Sequence, residues 1–212
     1  IENNQQRKVT LLKSNSVTSL QNYDVTIFYQ PDSSFKNAYN LSELANKNKF
    51  IITGTKTDFN FLNAVQTDFK FEMLPQKENY AATFEPNFNL FSQENIGFEN
   101  FPPLENKFGM ITPKNNVSTL LYSSIRTIKT NNPLLSFSEN GTKRSAYLFR
   151  ENIWKWRLEQ KKNKKSFDDF DILMDKIIQY LITSDSKKKL SVEHEKFYNS
   201  GDKIEILASY FN

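Results

Sequence analysis

Apolar residues recur along this chain with two different periods. Short runs rich in β-branched and aromatic residues lie at residues 9–13, 25–29 and 50–53, and each predicts a strand. Between the second and third runs, Phe35, Ala38, Leu41, Leu44 and Ala45 recur at helical spacing behind the start signal Pro31-Asp32-Ser33-Ser34. Phe59, Leu62 and Val65 follow the third run at intervals of three and predict another helix. Nearly continuous apolar strands joined by helices predict an α/β fold with a parallel sheet covered on both faces.

The middle of the chain, residues 70–129, reads differently. Pro75, Pro86, Pro102, Pro103 and Pro113 stand among many Asn and Phe residues, and the Phe positions keep no sustained period. This pattern predicts a long excursion with a few short strands, pinned to the sheet by its Phe side chains. Regularity returns at residues 118–128, an expected strand. Asn140-Gly141 then separates apolar runs at 134–138 and 143–149, a hairpin signal because both residues tolerate positive φ. The second run leads into a helix that carries both tryptophans, Trp154 and Trp156. Residues two apart on a helix point about 200° apart, so the pair cannot face one ligand together. One is expected to pack under the hairpin and the other to be partly exposed.

The last helix of the domain is signalled by Ser166-Phe167-Asp168-Asp169, a start resembling a capping box. Phe167, Phe170, Met174, Ile177, Ile178 and Leu181 form its apolar stripe. Beyond residue 190 the period becomes two, and residues 190–192 and 203–210 predict a strand pair joined across Asn199-Ser200-Gly201-Asp202. The expected organisation is an α/β domain over residues 1–188 and the first strands of a following β-rich domain over 189–212. The chain begins at Ile1 rather than Met and ends inside a strand-like pattern, which points to a piece of a longer protein.

Composition narrows the chemistry. The 212 residues include no Cys, which excludes disulfides, thiolate metal sites and a Cys nucleophile. Net charge is +4, and basic and acidic residues are mixed except at Lys161-Lys162-Asn163-Lys164-Lys165 and Lys187-Lys188-Lys189. Neither run is interleaved with aromatics as a single-strand groove requires, so both read as solvated charge flanking a helix and no nucleic-acid partner is expected. No apolar run approaches the roughly 20 residues that span a bilayer. Five scattered glycines form no Gly-x-Gly cradle, and the carboxylate pairs Asp168/Asp171 and Glu193/Glu195 read as a helix start and a strand face. No cofactor and no metal site is expected.

Three segments carry a family resemblance: Thr53-Gly54-Thr55-Lys56-Thr57-Asp58, Gly97-Phe98-Glu99-Asn100-Phe101-Pro102-Pro103-Leu104, and Asn152-Ile153-Trp154-Lys155-Trp156-Arg157. With the hairpin and the sheet pattern they resemble the class I glutamine-amidotransferase-like domain of large Bacteroidetes envelope proteins that carry von Willebrand factor A-like regions. The resemblance implies a flavodoxin-like, three-layer parallel sheet, β-rich segments following it, and a cell-envelope location. It also implies attachment to a membrane only through other parts of a parent protein.

An amidotransferase of that fold needs a Cys on a tight strand-to-helix turn, with His and Glu near the C-terminal end. Here Lys56 occupies the nucleophile position, and Asp58 stands where a second glycine is usual. The only histidine, His194, is followed two residues on by Lys196 rather than Glu, and reads as an exposed strand residue. The expectation is therefore a non-catalytic scaffold or interaction module. Its partners would be other domains of the same chain or another envelope protein, contacted through Phe88, Phe98 and Phe101, although pinning of that segment to the core is the simpler account of its Phe side chains. The alternatives are a hydrolase and a domain that binds a small polar ligand or carbohydrate at Thr55, Lys56, Thr57 and Asp58. Against the ligand reading, Thr57 or Asp58 is more simply the N-cap of the next helix.

Overall fold

The computed structural model describes residues 7–126, 128–183, 190–194 and 206–210. The chain divides into two compact units, Ile1–Ile182 and Thr183–Asn212. The first begins with β1 (Val25–Tyr29), α1 (Lys36–Leu44), β2 (Asn48–Ile52) and α2 (Phe59–Val65). Then come β3 (Phe69–Phe84), β4 (Leu104–Pro113), β5 (Val117–Ile125), β6 (Ile128–Asn140) and β7 (Lys143–Leu148), followed by α3 (Trp154–Lys164) and α4 (Asp168–Ile182). The first expected strand, at residues 9–13, is not one: the segment runs without regular structure, and Leu11 is exposed. β-propensity makes no strand without a partner to pair with.

The fold is α/β, built on one seven-stranded sheet in the order β1-β2-β7-β6-β5-β3-β4. Only β1, β2 and β7 run parallel; every other pairing is antiparallel. The expected flavodoxin-like parallel sheet is corrected accordingly. Continuous apolar runs report burial on both faces, and helices covering both faces of an antiparallel sheet produce the same pattern. Adjacent residues show that double cover. Phe50, Ala146 and Leu148 face the core shared with α4, whereas Ile51, Tyr147 and Phe149 face the core shared with α1 and α2.

The hairpin forms one residue later than the Asn-Gly signal places it. Asn140 pairs with Lys143, so Gly141 and Thr142 make the loop, and Gly141 takes φ 63° at its first position. β3 and β4 are the elements hidden in the aperiodic middle. Their pairing is interrupted between Met73 and Lys77, where Pro75 sits, because a proline is tolerated at a bulge and not within a regular ladder. Opposite the break, a Cβ at Gly109 would lie 2.3 Å from the Glu72 carbonyl oxygen, so only glycine fits there.

The far edge of β4 is covered. Asn132 donates from Nδ2 to the Gly109 carbonyl (3.0 Å) and accepts from the Ile111 amide (2.9 Å), standing in for a neighbouring strand. At the other end of β4, Glu105 forms an isolated antiparallel bridge with Glu151. This bridge carries the sheet's antiparallel edge to the C-terminal end of β7.

α4 starts close to where its sequence predicts but without the capping box: the Ser166 hydroxyl accepts the Asp168 amide at 3.0 Å rather than that of Asp169, whose carboxylate meets Lys164. Among the described residues, no helix is long and apolar enough to cross a membrane. The second unit is a two-stranded antiparallel sheet of β8 (Leu190–His194) and β9 (Ile206–Tyr210). The Lys187-Lys188-Lys189 run, the 199–202 connection and Glu195 lie outside the described residues.

Candidate functional site at the ends of the parallel strands

Parallel strands leave their C-terminal ends together, and in open α/β sheets that edge forms the ligand crevice. Here it is built from three segments: Gln30 after β1, residues 53–58 after β2, and Arg150, Glu151 and Asn152 after β7. Glu151 is the centre of the arrangement. Its side chain is largely buried, at 8% exposure. Oε1 accepts the Thr55 hydroxyl at 2.7 Å and, more weakly, the Thr55 amide at 3.4 Å; Oε2 accepts the Gln30 carboxamide Nε2. Gln30 in turn accepts the Lys56 amide at 2.9 Å. Among the described residues no cation pairs with this carboxylate.

Gly54 makes the arrangement possible. A Cβ there would stand 2.7 Å from both Gln30 Cδ and Glu151 Oε2. Two rim residues hold left-handed backbone without being glycine: Gln30 at φ 47° and Asn152 at φ 71°. Asparagine tolerates that region; glutamine pays roughly 1–2 kcal/mol for it. The bond from the Gln30 amide to the Ile52 carbonyl at 2.7 Å helps to hold it. Strained backbone of this kind concentrates at ligand clamps and switches.

The residues singled out in the β2–α2 turn part company. Asp58 caps α2, accepting the Asn60 and Phe61 amides at 3.0 Å each. Thr57 is buried, and its hydroxyl accepts the Gly54 amide at 2.8 Å. Both are structural, which leaves Thr55 and Lys56 at the crevice surface. Lys56 is exposed and does not take the left-handed backbone of a nucleophile elbow. Lys107 closes the wall behind the turn, with Nζ 3.0 Å from the Thr57 carbonyl and 5.5 Å from the centre of the Phe59 ring.

A second cluster continues the rim. The Trp154 indole donates to Asn152 Oδ1 at 3.3 Å, and Asn152 Nδ2 donates to Glu105 Oε1 at 3.1 Å. Lys155 also meets Glu105 Oε1, at 2.7 Å. That lysine, aided by Asn152, holds the Glu105 carboxyl below the usual carboxylate range against a smaller upward effect of burial. Trp154 is 56% exposed, whereas Trp156 is fully buried.

Beneath the crevice, Arg150 is fully buried, with its guanidinium 3.6 Å from the centre of the Tyr80 ring. It donates to the Phe149 carbonyl (2.6 Å) and the Ser123 hydroxyl (3.1 Å), and its Nε has no partner. Burial pushes its pKa down to about 10. Arg150 fastens β7 to β3 and β5 just before Glu151.

The partner-contact residues lie elsewhere and are core. Phe98 and Phe101 are buried against Trp156, with ring centres 6.0 and 5.3 Å away, and the Trp156 indole donates to the Pro102 carbonyl at 2.8 Å. Phe88 is half-buried and packs on Phe91 and Phe137. Two of the segments that carry the family resemblance thus meet in one apolar cluster. Phe98 and Phe101 are corrected from contact residues to core residues, since a side chain already enclosed offers a partner no surface.

No protein-family model matches the chain, and no curated protein matches it. Its likeness is to solved structures. Cytoplasmic Protein STM3548 from Salmonella typhimurium matches at TM-score 0.52 and 15% identity, covering 76% of this chain and 72% of that one. Cytoplasmic Protein STM1381 from Salmonella typhimurium LT2 matches at TM-score 0.49 and 15% identity, over 75% and 72%. At such identity the likeness is one of fold. One expectation is corrected: STM3548 is described as a cytoplasmic protein, and the cell-envelope placement is withdrawn.

Gln30, Glu151 and Asn152 were not singled out as site residues from the sequence. Gln30 directly follows the expected strand 25–29, whereas Glu151 and Asn152 follow a run read as a hairpin arm, whose parallel pairing with β2 only the structure reveals. His194 belongs to β8 and pairs with Ile206. Among the described residues, no group of three His, Asp or Glu side chains could hold a metal ion. A separate open groove of about 400 Å³ is lined by Pro113, Asn115, Val117, Tyr122, Asn131 and other residues, none of them from the strand-end loops.

Proposed function

We propose that this chain is a non-catalytic binding module, taking a small polar ligand at the ends of β1, β2 and β7. The observation that carries the reading is Glu151, an almost buried carboxylate held, among the described residues, by Thr55 and Gln30 where three strand ends converge. A missing cation is not enough by itself: among the described residues Asp68 is also buried without one, and both carboxylates accept three hydrogen bonds, Asp68 from Ser138 (2.5 Å), Tyr147 (2.6 Å) and Asn115 (3.3 Å). The difference is one of position. Glu151 stands instead among residues a ligand can reach: Lys56, Asn152 and Trp154. The non-catalytic reading rests on the turn after β2, where a lysine in ordinary backbone occupies the nucleophile position.

A panel of amino acids, carboxylic acids and sugars screened by thermal shift tests the reading. At least one compound should raise the melting temperature of the wild type and fail to raise that of Glu151→Gln or Lys56→Ala. A stabilising compound that works equally on all three proteins contradicts the crevice. Hydrolysis of an ester or amide that tracks Thr55 or Glu151 would replace a binding module with an enzyme.

A further inference from the structure

We infer that the crevice ligand is a carbohydrate, with the exposed face of Trp154 as its stacking platform; the inference rests on the crevice reading above. A sugar ring presents an apolar C–H face and a rim of hydroxyls, each both donor and acceptor. Its recognition needs a flat π-face beside a mixed set of hydrogen-bonding groups. The crevice supplies both. Trp154 keeps 56% of its surface exposed at the first position of α3, and its indole N–H is tied to Asn152. Asn152 is itself fixed by Glu105, which Lys155 holds from the other side. The platform is thereby oriented before any ligand arrives, which lowers the entropic cost of binding.

Charge selects between ligand classes. An anion would meet the Glu151 carboxylate and, along the rim, Glu105. An amine or guanidinium would meet Lys56, which is exposed at the crevice mouth. A neutral polyhydroxylated ring opposes neither sign and, unlike a zwitterion, which also opposes neither, brings a C–H face for Trp154 to stack on. It can use the remaining acceptor capacity of Glu151, Asn152 Oδ1 and the Thr55 hydroxyl oxygen, and donors on Lys56 and the second Gln30 Nε2 hydrogen. The two tryptophans also give the site its own signal, because Trp156 is enclosed and Trp154 is the one open to a ligand.

The test is intrinsic fluorescence and thermal shift of the full chain titrated with glucose, galactose, mannose, N-acetylglucosamine and maltose. At least one sugar should move the emission and the melting temperature together. Trp154→Ala should weaken that sugar about tenfold or more, which corresponds to ~1.4 kcal/mol, and Trp154→Phe should recover part of the loss. Silence from all five sugars overturns the inference, as does sugar affinity unchanged by Trp154→Ala. A non-sugar compound lost in Glu151→Gln but retained in Trp154→Ala ends the carbohydrate assignment and leaves the crevice intact. Sugar binding indifferent to Glu151→Gln ends both.

Discussion

Two sides of the first turn of one short helix contrast a packed core with the proposed recognition surface. Trp156 lies on the inner side of α3, among Phe98, Phe101 and the Pro102 carbonyl, with no exposed surface. Trp154, two residues earlier, lies open beside Asn152, at the rim of a polar crevice. The first cluster is apolar and closed, satisfied by its own contacts. The second is a chain of hydrogen bonds from Gln30 and Thr55 through Glu151, and from Trp154 through Asn152 to Glu105, with left-handed backbone at Gln30 and Asn152. Aromatic richness therefore does not mark the site in this molecule. The proposed site is marked instead by the convergence of three strand ends, since left-handed backbone also occurs at Asn46, Arg126 and Lys165.

The contrast can be broken at its stable end first. Trp156→Ala empties a fully enclosed site and should cost ~3–5 kcal/mol of stability, read as a large drop in the denaturation midpoint. A loss under 1 kcal/mol would mean that the Phe98 and Phe101 cluster is not the keystone of this face. Gly54→Ala acts at the boundary between the regions. Its methyl group must push Gln30 or Glu151 aside, and the expected cost is about 1–3 kcal/mol with loss of ligand response. Equal stability and unchanged response would show that the Gln30–Glu151 contact does not need the close approach at residue 54. Trp154→Ala is the smallest change in stability, within ~0.5 kcal/mol, although it should weaken sugar binding about tenfold. A substantial destabilisation by Trp154→Ala would move that residue from the crevice to the core.

The sequence was most legible where local signals and burial agree. The apolar runs at β1 and β2, the helical spacing of α1 and α4, and the start of α4 near Ser166 all appear where the periodicity places them. Strand direction was not legible, because Leu134, Leu135, Ser136 and Phe137 are all buried in a strand whose pairings are antiparallel, so burial on both faces does not distinguish parallel from antiparallel. β3 was hidden for a different reason. Its opening residues do alternate, with Phe69 and Phe71 buried and Lys70 and Glu72 exposed, but the break at Met73 and Lys77 resets the period. Crevice residues were partly legible. The strand-end turn pointed to Thr55 and Lys56, whereas Glu151 becomes visible only once β7 is known to run parallel to β2. Gln30 and Asn152 depend on backbone angles that no periodicity encodes.

The central claim is that recognition occurs at the ends of β1, β2 and β7. Its most direct test is amide chemical-shift mapping of the wild-type chain with whichever sugar or other polar compound most raises its melting temperature. The account predicts that the largest shifts fall at Gln30, Gly54, Thr55, Lys56, Glu151 and Asn152, with the indole N–H of Trp154 moving and that of Trp156 still. Shifts confined to Asn115, Asn116 and Asn131 would place the ligand in the groove beside β5 and β6 and contradict the crevice as the binding site.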